Sequence, residues 1–200
     1  SACLVGSEMC IRDRHMPGIN LGCSVYQRPL DDPEFEPFWA EMNRRRAVIN
    51  LHPLGIGGPM ADVFGLDWLV CGCFEDTVTA ARLIGSGLTT RYPHVSIIVP
   101  HLGGTVPYLW ARLRSVGRQA NIDSHAALRH LYYDTANHAP GGYRFAAGLL
   151  GSDRMMLGTD FPYQTGDQFV RDVLDVEESG LPKDEIDAIL DRNAQALLKL

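Results

Sequence analysis

The chain has 200 residues, 46% hydrophobic and 21% charged, with a formal net charge of −6. That apolar supply suffices for the core of one domain, no apolar run approaches the ~20 residues that span a bilayer, and the acidic balance argues against a nucleic-acid surface. The dense basic cluster Arg44-Arg45-Arg46 ends a predicted helix, where cations offset the helix dipole.

Taken in chain order, residues 1–14 do not read as native sequence. Leu4-Val5-Gly6-Ser7-Glu8-Met9-Cys10-Ile11-Arg12-Asp13-Arg14 looks like the in-frame translation of a transposase adapter used in sequencing libraries, and charges interrupt what a signal peptide would need as its apolar stretch. The expectation is a native domain over 15–200. Gly18–Gly22 reads as a short strand, Asp31-Asp32-Pro33 opens a helix running to Arg46, and Ala47–Leu51 is the next strand. The Gly/Pro-rich stretch Pro53–Gly65 is long for a connection and is a candidate active-site loop. Glu75–Ser86 reads as a helix stopped by Gly87, followed by a turn to Pro93 and strand Val95–Val99. Helices are expected at Thr105–Val116 and Ser124–His130, a strand at Leu131–Tyr133, a helix at Gly142–Leu150, a strand at Met155–Leu157, and helices at Gln168–Glu178 and Lys183–Leu198.

This alternation predicts an α/β fold with a parallel sheet. The strands Ala47–Leu51, Val95–Val99 and Met155–Leu157 are short apolar runs bounded by Pro and Gly, and each is followed by a chemically capable residue, His52, His101 and Asp160. Parallel strands release such residues at one end of the sheet, so two imidazoles and a carboxylate there make a half-built metal centre. Functional residues on several strands, with no G-x-G-x-x-G or P-loop at the first turn, favour a (β/α)8 barrel over a doubly wound sheet. A whole barrel runs to ~250 residues, so the expectation is its C-terminal part, roughly strands 4 to 8, with the first strands missing.

The motifs Asn50-Leu51-His52-Pro53, Pro100-His101-Leu102-Gly103-Gly104 and Leu157-Gly158-Thr159-Asp160-Phe161-Pro162, in this order, resemble the amidohydrolase-2 family of metal-dependent barrels, which includes aminocarboxymuconate-semialdehyde and resorcylate decarboxylases. The resemblance covers most of Gly18–Leu200 and extends to Leu83-Ile84-Gly85-Ser86-Gly87, Tyr92-Pro93 and the closing Asn193–Leu198. It implies that His52 and Asp160 are metal ligands and that His101 is the catalytic histidine, with Asp160 beside it in the chemistry. It further implies that Arg112 reaches a substrate carboxylate across a homodimer interface and that Phe161 contacts substrate. The implied cofactor is a divalent ion, zinc before manganese, with no organic cofactor. One departure stands out: the family's His-x-His pair on the first strand has no counterpart among the seven histidines, so the metal would be underligated.

Each residue also has a plainer reading. His52 could be a core histidine, His101 a helix cap, Asp160 a turn residue and Arg112 part of a solvated helix face. Asp134 and His138 follow a strand at the same rim and read as structural partners, while His15, His94, His125 and His130 carry no spacing signal. Cys71-Gly72-Cys73 lacks the second pair of a zinc site, and a reduced, cytoplasmic protein follows. The function expected is metal-dependent, non-oxidative decarboxylation of a small unsaturated or aromatic acid, walled from water by the 53–65 loop, Trp68 and Phe74, with no nucleic-acid or membrane partner. The alternatives are a hydrolase of a lactone, ester or amide on the same scaffold, or an inactive fragment.

Overall fold

The computed structural model describes residues 16, 18–55, 57–137 and 139–200. Residues 1–14, expected from sequence to be non-native, and His15 and His138 lie outside the described residues. Five parallel strands form one sheet: β1 (Gly18–Gly22), β4 (Val48–His52), β5 (Ser96–Val99), β6 (Tyr132–Asp134) and β7 (Met155–Met156), while β2 (Ser24–Val25) and β3 (Arg28–Pro29) pair separately as a hairpin. The spatial order β1-β4-β5-β6-β7 follows the chain without reversing. A doubly wound sheet reverses at its switch point, whereas a barrel adds every strand on the same side. The sheet is therefore barrel-type, and the expectation of a partial (β/α)8 barrel holds.

Strand alternation sorts the side chains. Ile49, Leu51, Ile97, Val99, Tyr133 and Met155 join the main core with Trp39, Leu83, Leu128 and Tyr143 from the helices. The opposite face carries a smaller cluster of Val48, Ile98 and Met156 under Ala194, Leu197 and Leu198. On that face Asn50 donates from Nδ2 to Asn20 Oδ1 at 3.0 Å, across the β1–β4 register that pairs the two residues.

The helices are α1 (Glu36–Arg45), α2 (Gly72–Gly85), α3 (Leu88–Arg91), α4 (Val106–Leu113), α5 (Ser124–His130), α6 (Pro140–Leu150), α7 (Asp167–Glu177), α8 (Lys183–Asp187) and α9 (Asn193–Leu198). Several bounds differ from expectation for identifiable reasons. The helix expected at Glu75 starts at Gly72 and is continuous with a π-turn at Asp67–Cys71, so Trp68 and Phe74 belong to helical structure. The hairpin was unanticipated because its turn residues Tyr26 (φ 50°) and Gln27 (φ 62°) adopt left-handed backbone without glycine. The turn after Gly87 is helical, and the helix expected to Val116 ends at Leu113. The helix expected over Lys183–Leu198 is borne out as one continuous helical run, with a π-turn at Ala188–Arg192 between α8 and α9. Leu157 N–H donates to Ile189 O at 2.9 Å rather than to the neighbouring strand, and β7 ends one residue early. Among the described residues no helix is long and apolar enough to cross a membrane.

Candidate active site

His52 ends β4 on the face of Val48 and Asn50, because the alternate residues Ile49 and Leu51 are both fully buried in the main core. Its Nδ1 lies 2.8 Å from Pro53 O. A carbonyl oxygen can only accept, so Nδ1 carries the proton and Nε2 the lone pair. The next turn is clamped from α2: Leu54 and Gly55 N–H donate to Glu75 Oε2 at 2.7 and 2.8 Å.

His101 leaves β5 into four successive residues with positive φ, His101 (53°), Leu102 (55°), Gly103 (74°) and Gly104 (62°). A histidine and a leucine there are strained and need external support. It comes from two carboxylates. His101 N–H donates to Asp134 Oδ1 at 2.8 Å, an oxygen that also accepts Ala136 N–H at 3.1 Å, while His101 Nδ1 lies 2.7 Å from Asp76 Oδ2. Asp76 is completely buried on α2, and its other oxygen accepts the Cys23 thiol at 3.4 Å.

Burial pushes the Asp76 carboxyl up, opposed by its contacts with His101. Burial alone would lower the His101 imidazole, but the Asp76 hydrogen bond and charge, helped by Asp134 and Asp160, outweigh it and raise its pKa. Burial also raises Asp134, again opposed by His101. Cys73 lies near this pair: its thiol, Asp76 and His101 each present an atom within 4.8 Å of the others. Burial, then the charges of Asp76 and Asp160, hold that thiol protonated.

Asp160 follows β7 in left-handed backbone (φ 55°), and its carbonyl accepts Tyr163 N–H at 2.8 Å. The preceding loop is tied to the residue just after β6: Gly158 N–H donates to Thr135 Oγ1 at 3.1 Å. His52, His101 and Asp160 line one cleft of about 130 Å³, together with Trp68 and Tyr163. Arg112 is exposed on α4 and is not among the residues lining this cleft. Phe161 is 68% exposed, stacks edge-to-face on Phe169 at 6.0 Å and lines a neighbouring hollow instead.

The profile of the family described as Amidohydrolase matches residues 7–200. The chain belongs to this family. It is 27% identical over 168 residues to 2-amino-3-carboxymuconate-6-semialdehyde decarboxylase of Dictyostelium discoideum, covering 79% of this chain and 46% of that one. It is 31% identical over 168 residues to 6-methylsalicylic acid decarboxylase of Penicillium expansum, covering 78% and 51%. The chain spans about half the length of these relatives. A dihydroxybenzoic acid decarboxylase from Polaromonas sp. JS666, solved with bound manganese and the inhibitor 2-nitroresorcinol, superimposes with a TM-score of 0.82 at 25% identity, over 98% of this chain and 65% of that one.

The donor chemistry of the cleft suits a divalent ion of this family. An imidazole whose Nδ1 is engaged by a carbonyl, leaving Nε2 as the free nitrogen, and a carboxylate are ordinary ligands for zinc or manganese, yet catalytic centres ordinarily use three protein ligands or more. Sequence reasoning overlooked Glu75 and Asp76. Their signal is visible in retrospect: Gly72, Asp76, Ala80 and Leu83 fall on one buried stripe of α2, and an acid inside such a stripe needs a partner.

Proposed function

We propose that this chain carries the ligand and proton-transfer half of a metal-dependent, non-oxidative decarboxylase acting on a small aromatic carboxylic acid, completed by barrel strands that supply further ligands. The observation that carries the reading is the shared cleft of His52, His101 and Asp160, with the Nδ1 atoms of both rings already engaged elsewhere. The substrate class is supported by the 6-methylsalicylic acid and dihydroxybenzoic acid decarboxylases among the relatives.

In this reading His52 Nε2 and the Asp160 carboxylate hold the ion, which when bound supplies a Lewis acid that neutralises negative charge on the substrate. His101, favoured as imidazolium by Asp76, delivers its proton to the ring carbon that bears the carboxylate. The carbon–carbon bond then breaks, its electron pair returns to the ring and carbon dioxide leaves; His101 regains a proton from solvent. Asp160 adds its negative charge opposite the imidazolium. Trp68 and Tyr163 wall the cleft from water, Phe161 adds apolar contact, and Arg112 of a second copy in a homodimer grips the substrate carboxylate by a two-pronged ion pair. Zinc was the first expectation from sequence; the manganese of the Polaromonas structure makes that ion the other one to load. The free thiols Cys23, Cys71 and Cys73 support a reducing, cytoplasmic setting.

The test is carbon dioxide release from hydroxybenzoates by the complete-barrel protein loaded with manganese or zinc, with lactones and esters assayed beside them. Hydrolysis without carbon dioxide release would transfer the site to the hydrolase reading.

A further inference from the structure

Glu75 and Asp76 are neighbours on α2, both buried, and their carboxylates diverge toward two different loops of the sheet. Asp76 reaches His101 directly, Oδ2 to Nδ1 at 2.7 Å. Glu75 reaches His52 through a single peptide group. The Pro53–Leu54 peptide presents its N–H to Glu75 Oε2 at 2.7 Å and its carbonyl to His52 Nδ1 at 2.8 Å. Because a trans peptide is planar, with N–H and C=O pointing opposite ways, a carboxylate fixing one end fixes the direction of the other. The hydrogen bond at the N–H also polarises the carbonyl and strengthens its hold on the imidazole proton.

We propose that the adjacent acids Glu75 and Asp76 are the positioning pair of the site, one helical step setting the tautomer and aim of both imidazoles, His101 by direct contact and His52 through the Pro53–Leu54 peptide. Neither acid touches substrate. Each places the proton on Nδ1 and leaves Nε2 to act, the arrangement a ligand or a proton donor requires. The ring of His101 is faced by Asp76 and, at longer range, by the charges of Asp134 and Asp160, with the Cys73 thiol alongside. Asp76 alone among these is hydrogen-bonded to a ring nitrogen. The inference rests on the proposed function only for what the two rings then do; the hydrogen bonds themselves do not depend on it.

The experiment reads the rings rather than turnover. In the metal-free chain labelled with 15N at histidine, imidazole nitrogen shifts report tautomer and protonation. Asp76→Asn keeps an acceptor oxygen but removes the charge, and the apparent pKa of His101 is expected to fall while the tautomer of His52 is kept. Glu75→Leu is expected to release the His52 ring into a mixture of tautomers, and Glu75→Gln, which keeps an acceptor for Leu54 N–H, to restore the wild-type pattern. Asp31→Asn breaks the ion pair with Arg82 near the far end of α2, 2.7 Å in the wild type, and controls for loosening of that helix. It is expected to move neither ring. Loss of both patterns in Asp31→Asn as well, or unchanged rings in Asp76→Asn and Glu75→Leu, would overturn the proposal. Altered rings in a complete enzyme that releases no carbon dioxide would instead count against the proposed reaction and leave the positioning pair standing.

Discussion

Gly104 approaches the carbonyl of Cys73 so closely that a Cβ at this position would lie 2.0 Å from that oxygen. The contact seats the His101 turn on the first turn of α2, and Thr105 N–H adds a hydrogen bond to Thr77 Oγ1 at 2.8 Å. Gly104 also has φ 62° and ψ −116°, a region closed to side chains. Gly104→Ala is therefore expected to destabilise the fold by about 3 kcal/mol from combined overpacking and backbone strain. Denaturant unfolding measures it. A cost near that of an ordinary surface change would mean that the turn and helix are less tightly joined than they stand here.

A pH-dependent component of stability is built into α1. The Tyr92 hydroxyl, and with it Arg91 at 2.8 Å, holds the Glu36 carboxyl below its ordinary value of 4.5. The folded carboxyl thus binds its proton at lower pH than the unfolded one. Its stabilisation is complete above the unfolded value and is lost as pH falls through the folded one. Tyr92→Phe should lower stability near neutral pH, and the gap from wild type should close below about pH 4.5. Both partners are partly solvated, so the difference is about 1 kcal/mol or less. Unfolding curves across pH check it; a gap that widens toward acid would reverse the assignment.

How much of this could be read from sequence divides along physical lines. The strands and the convergence of His52, His101 and Asp160 were legible because apolar runs bounded by Pro and Gly, placed parallel, leave their next residues at one end. The Asp76–His101 contact was not: it joins residues 25 apart, and which acid meets which ring depends on how α2 seats against the sheet. Asp134 was noticed at the rim, but its bond to the His101 N–H follows from a left-handed backbone that nothing in Pro100-His101-Leu102 announces. The C-terminal helix was legible over its whole length, but its π-turn was not, nor was the bond from Leu157 N–H to the Ile189 carbonyl, 32 residues away (189 less 157).

Arg112 separates two readings cleanly. It is exposed on α4, so Arg112→Ala should change unfolding free energy by no more than about 0.5 kcal/mol. If the side chain crosses to the cleft of a second copy, the same change should raise KM for the acid substrate, and Arg112→Lys should recover little, because an ammonium lacks the two-pronged geometry. Steady-state kinetics on the complete-barrel protein decide. Unaltered kcat/KM would return Arg112 to the solvated face of its helix.

Thr135, the first residue after β6, ties the loop of Asp160 to the end of that strand. The residue is fully buried, and its hydroxyl accepts Gly158 N–H at 3.1 Å and donates to Gly158 O at 3.4 Å. Gly158 in turn packs so close to Asp134 that an added Cβ would fall 2.7 Å from the aspartate Cβ, so the loop cannot shift inward to compensate. Thr135→Val preserves shape but leaves the glycine N–H without its acceptor, a loss of about 1–3 kcal/mol. Asp160 lies two residues along the same loop; if it holds the ion as proposed, losing its aim should lower the manganese affinity of the complete-barrel protein by about tenfold or more, as removal of an orienting partner does at other metal sites. Thr135→Ser keeps the hydroxyl and should keep most of the affinity. Calorimetric titration of manganese into the three proteins provides the comparison; equal affinity in Thr135→Val would show that Asp160 is held by its own turn, through the Tyr163 and Gln164 amides, rather than by the strand beside it.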